Sequence, residues 1–71
     1  MLSDCQVNRE LLKDVAAKLK DIQELTKAQE AAVSDGNSEL IEDLHVKVQV
    51  GFRAKERAVE AWIRHHREHG C

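Results

Sequence analysis

Between its two ends this chain of 71 residues offers one place to reverse direction, the run Ser34-Asp35-Gly36-Asn37-Ser38. Gly36 and Asn37 tolerate positive φ, and Asp35, Asn37 and Ser38 can bond the nearby backbone through their side chains. Proline, the other strong breaker, is absent. Two long segments of nearly equal length flank this turn, so it predicts an antiparallel αα-hairpin with both chain ends, each carrying a cysteine, at one end of the molecule.

The first segment opens with capping signals. Ser3 with Gln6 fits a capping box, and Leu2 with Val7 fits the accompanying staple. Leu11, Leu12, Val15, Leu19 and Ile22 then recur at spacings of three and four, the stripe of an amphipathic helix. Past Ile22 the stripe weakens: Thr26 and Gln29 take its centre while Leu25, Ala28 and Ala32 slide to one side. Beyond the turn, Asn37 or Ser38 is the expected N-cap, and Glu39, Glu42 and Asp43 crowd the start of a second helix, where its dipole favours negative charge. The apolar face there is Leu40, Ile41, Leu44, Val48, Phe52, Val59, Trp62 and Ile63. Beside it run the small residues Gly51, Ala54, Ala58 and Ala61, which suit a close helix crossing, either with the first helix or with a second hairpin. Gly70 stands where a C-cap glycine belongs.

Residues 44–52 also alternate apolar and polar, a strand pattern. Helix is the expectation, because no second strand pattern exists to pair with it and the flanking residues read as helix. If helical, Val46 and Val50 leave the main stripe and form an extra apolar patch.

The predicted architecture is therefore all-α, a single domain over residues 1–71 with helices at about 4–34 and 38–69 and a turn at 34–38. A lone pair of helices cannot cover faces this apolar. Two hairpins are expected to pair as an antiparallel four-helix bundle, a homodimer with coiled-coil-like packing. Leu12, Val15, Leu19, Ile22, Leu44, Val48, Phe52, Val59 and Trp62 are its expected interface residues.

Charged residues make up 34% of the chain and aromatics 3%, which suits solvent-washed helices rather than a large enclosed core. A net charge of −2 gives no general pull toward nucleic acid or anionic lipid. No apolar run approaches the roughly 20 residues that span a bilayer. No basic region followed by an apolar stretch opens the chain, so a cytoplasmic protein with reduced thiols is expected.

Four features could carry chemistry. Lys55 falls near the centre of the second apolar face. A desolvated amine there could act as nucleophile, base or anion contact; otherwise its stem covers apolar surface while the amine reaches Asp14 or Asp21. His65 and His69, four apart, share a helix face and could chelate zinc together with Cys5 and Cys71, which the hairpin brings near; histidines at this position also complement the helix dipole. Cys5 near a helix start has a thiol inclined to ionise, and a Cys5–Cys71 disulfide would close almost the whole chain, worth roughly 4 kcal/mol in the chain-entropy view. Finally, Arg53, Lys55, Arg57, Arg64 and Arg67 make the last third locally basic, though Glu56, Glu60 and Glu68 interleave them. In outline the expected dimer resembles Rop-type RNA-binding bundles, a likeness of shape alone.

No catalytic constellation is visible, since Ser3, Ser34 and Ser38 sit at helix ends and no phosphate-binding loop exists. The expected function is a small non-enzymatic interaction module, adaptor or regulator that binds its own copy and another protein. The alternatives are a metal- or redox-responsive module built on Cys5, His65, His69 and Cys71, and an RNA-binding bundle. Nucleic acid and membrane are not the expected partners.

Overall fold

The computed structural model of the chain describes residues 4–70. Ser3, Leu2 and the capping signals that rest on them, and Cys71, lie outside the described residues. Two helices form an antiparallel hairpin, α1 over Asp4–Asp35 and α2 over Ser38–His69, with Cα extents of 50 × 16 × 14 Å. The boundaries agree with the turn chemistry to within a residue. Residues 44–52 are helical, so Val46 and Val50 leave the buried stripe and are each 58% exposed.

The reversal is a Schellman motif. The Gly36 N–H donates to the Val33 carbonyl at 3.1 Å and the Asn37 N–H to the Ala32 carbonyl at 3.0 Å, which satisfies two of α1's last carbonyls. Gly36 takes the left-handed backbone this needs, at φ 66°; Asn37 does not, at φ −84°. Asn37 instead caps α2, its side-chain oxygen accepting from the Leu40 N–H at 3.2 Å. Of the three acids expected at the start of α2, only Glu39 falls in its first turn. Asp43 pairs with Lys47 at 3.1 Å instead. At the far end Gly70, at φ 71°, donates to the His66 carbonyl at 2.8 Å and closes α2 with an αL cap.

The interior is a seam. On α1 it runs through Asn8, Leu11, Val15, Lys18, Ile22, Leu25, Gln29 and Ala32, each at least half-buried. On α2 it runs through Ile41, Leu44, Val48, Gly51, Lys55, Ala58, Trp62 and His65. Steps of three and four alternate without a break on both helices, the spacing of a left-handed coiled coil. A seven-residue repeat drifts by about 20° per heptad against the 3.6-residue helix, which is why the α1 stripe slides toward Leu25 and Ala32 after Ile22. Polar residues sit in this seam at local cost. Lys18 reaches Asp14 at 3.5 Å, and Thr26, beside it, donates to the Ile22 carbonyl at 2.8 Å.

The helices meet closely at Gly51. A Cβ built there would stand 3.3 Å from Ile22 Cγ1 and 3.7 Å from Leu25 Cδ1. The row of small residues thus serves the crossing with α1, and Ala58, in the same row, is buried.

Candidate functional site

Because both helices are right-handed and run in opposite directions, residues displaced the same way round from the seam share one broad side of the hairpin. On α1 the row Cys5, Leu12, Leu19, Thr26 and Val33 lies to one side of the seam at seven-residue steps. On α2 the matching row is His45, Phe52, Val59 and His66. Neither row holds a formally charged residue, in a chain one-third charged. Leu12, Leu19 and Phe52 are 42%, 45% and 45% exposed.

The opposite broad side differs. There Lys18, Asp21, Glu24 and Lys47 surround Leu25, Val50, Gly51 and Ala54 in a shallow groove of about 470 Å³. One side is therefore apolar and the other is salted with both signs.

The expected interface residues fall into three groups. Ile22 and Leu44 are buried between the helices. Val15, Val48, Val59 and Trp62 are half-buried, while Leu12, Leu19 and Phe52 stand on the apolar side, open to solvent. Ala32 and Ala58 join the buried set among the described residues. Ala58 belongs to the row of small residues that the spacing set beside the α2 face, and Ala32 to the part of the α1 stripe that slides to one side. The indole N–H of Trp62 and the amide oxygen of Asn8 are both buried without a hydrogen-bond partner.

Lys55 is half-buried in the seam, its ammonium 5.7 Å from the centre of the Phe52 ring. The amine lies over an aromatic face of its own helix, a cation–π contact, rather than on an acid of α1. Asp14 is taken by Lys18, and Asp21 makes no ion pair among the described residues.

At the open end the histidine rings associate. His66 stacks on Trp62 with centroids 5.3 Å apart and planes 20° apart, and the His65 and His69 rings lie 4.7 Å apart, tilted by 42°. His69 Nε2 is 3.9 Å from the Glu68 carboxylate. Four-residue spacing therefore does bring His65 and His69 together. No group of three or more His, Cys, Asp or Glu side chains gathers as a metal cage among the described residues. Cys5 is disulfide-bonded, a state in which its sulfur is not the thiolate that zinc takes, and the fourth expected ligand, Cys71, lies outside the described residues. His66, Arg67 and His69 occupy the last turn of α2, where positive charge complements the dipole.

Among the described residues no helix is long and apolar enough to cross a membrane. Comparison with protein-family models, with curated proteins and with solved structures finds no match to this chain.

Proposed function

We propose that this chain is a small non-enzymatic protein–protein interaction module that works by helical-bundle association, as a homodimer that also presents helix faces to another protein. The observation that carries this reading is the imbalance of its apolar surface. Ile22, Ala32, Leu44 and Ala58 are the buried apolar residues among those described, whereas Leu12, Leu19, Phe52 and four other large apolar side chains stay 40–60% exposed. The hairpin's accessible surface is 5451 Å², against roughly 4,500 Å² for a compact protein of its 8.1 kDa mass. A four-helix bundle would cover the difference. Sedimentation equilibrium at micromolar concentration tests self-association, and a stable, folded monomer refutes it. A pull-down from the source that retrieves only the chain itself would count against a further partner.

The disulfide at Cys5 favours a second reading, a redox-responsive module. In a reducing cytoplasm such a bond opens, so its making and breaking would tie or release an end of the hairpin. Thermal melts with and without reductant test this, and identical melting removes it. The metal version needs Cys5 reduced; a melt of the reduced chain unmoved by zinc or chelator ends it.

A further inference from the structure

We infer that the charge-free side marked by Leu19 and Phe52 is the surface on which a second copy of this chain docks, antiparallel, with the two turns at opposite ends. The inference rests on the self-association proposed above and names its face and orientation.

Area comes first. Two separate hairpins expose twice 5451 Å², which exceeds by about 3,400 Å² the roughly 7,500 Å² of a compact protein of double the mass. Burial on that scale belongs to obligate homodimers, about 2,000–5,000 Å² in total, rather than to passing contacts. A face 50 Å long can supply it.

The choice of side follows from charge. Docking through the grooved side would desolvate Lys18, Asp21, Glu24 and Lys47, whereas the Leu19 side offers two rows without formal charge. Leu19 and Phe52 also sit within two residues of the midpoints of Asp4–Asp35 and Ser38–His69. A two-fold axis across the middle of the hairpin brings each beside its own copy, as an isologous interface requires.

Orientation follows from the edges of that side. Arg9 and Glu30 on α1, and Glu42 and Glu56 on α2, flank its two rows and make no ion pair among the described residues. Lys13, Lys20, Lys27, Arg53 and Arg67 each follow a row residue by one position, and so stand farther round toward solvent. With turns at opposite ends, α1 lies against the copy's α1 and α2 against the copy's α2. Arg9 then stands level with the copy's Glu30, and by symmetry Glu30 with the copy's Arg9. With turns at the same end, Glu30 would instead face the copy's Glu42, a like-charged pair that symmetry repeats. Complementary edges select register and orientation more than they add affinity.

The test uses the full chain, kept oxidised, with Ser34→Cys carrying a nitroxide spin label, so that each dimer holds one label at each turn. Pulsed dipolar spectroscopy then measures the separation. The expected distance is about 45 Å, counted at 1.5 Å rise per residue along opposed helices. A distance of roughly 15–25 Å, the span of neighbouring helices in one bundle layer, places the turns together and overturns the orientation while leaving self-association intact. Sedimentation as a monomer, with no dipolar signal, overturns both. Leu19→Lys should weaken dimerisation at least a hundredfold, and Val50→Lys, on the grooved side, by no more than a few-fold. Both residues are already exposed in the single hairpin, so neither change should unfold it. The reverse ranking would move the interface to the other side.

Discussion

Gly51 offers the sharpest measurement of how tightly the two helices meet. It is a mid-helix glycine, which costs α2 about 0.8–1.0 kcal/mol relative to alanine. Gly51→Ala recovers that propensity, but its new methyl would arrive 3.3 Å from Ile22 Cγ1 and 3.7 Å from Leu25 Cδ1. The second contact is ordinary packing. The first is a few tenths of an ångström inside the carbon–carbon optimum of about 3.5–4.0 Å. Ile22 is buried and β-branched, so its χ1 will not swing freely. The relief must come from a slight parting of the helices.

The expected sum is a gain of about 0.5 kcal/mol for Gly51→Ala, or roughly 2–4 °C in melting temperature for a chain of this length. Gly51→Leu should reverse the sign. Its extra carbons have no room at the crossing, and overpacking of this kind costs about 1–3 kcal/mol. The assay is urea and thermal unfolding followed by helical circular dichroism at several protein concentrations, because dimerisation makes apparent stability depend on concentration. Loss of more than about 1 kcal/mol in the alanine variant would mean that the crossing cannot dilate. A leucine variant as stable as the parent would mean that the helices do not touch there, and the close approach at Gly51 would be refuted.

Leu44→Ala should cost about 2–4 kcal/mol and Val46→Ala less than about 0.5, although only His45 separates them, since only Leu44 lies in the seam; equal costs by urea titration would refute the register. Asn37→Ala should cost about 1 kcal/mol through loss of the α2 cap, read by the same titration, and no change would mean the cap carries no weight. Reduction of the disulfide at Cys5 should lower stability by about 2–4 kcal/mol, read as a lower melting temperature in reductant.

The hairpin itself was legible because its signals are local. Gly36 can adopt positive φ without strain, Asn37 can accept a hydrogen bond from the next turn, and stripes at three-four spacing tolerate only a helix. The alternation at 44–52 did not outweigh the lack of a pairing strand: α2 runs through it and turns Val46 and Val50 to solvent, as helical spacing requires. The fate of Lys55 was not legible. Its azimuth pointed toward the acids of α1, but the Phe52 ring three residues earlier on its own helix lies nearer its amine. Past Ile22 an exact helical period puts Gln29 in the stripe, where it belongs, but also centres Thr26 and sets Ala32 aside; the heptad drift reverses those two.

What periodicity cannot separate is the two parts of a wide apolar face. Leu12, Leu19 and Phe52 belong to the same three-four stripes as Ile22 and Leu44, so the sequence marks all five as interior. A single antiparallel neighbour covers only the two heptad rows that face it, and the third row, with Leu12 and Leu19 on α1 and Phe52 on α2, is left in water. A face three rows wide is what a helix within a bundle needs, whereas two rows suffice for a coiled-coil pair. The corresponding row on the far side of the α1 seam reads Val7, Asp14, Asp21 and Ala28, and its central acids make that side costly to bury. The hairpin thus carries the third row on one side only, which suits one further layer of helices rather than two.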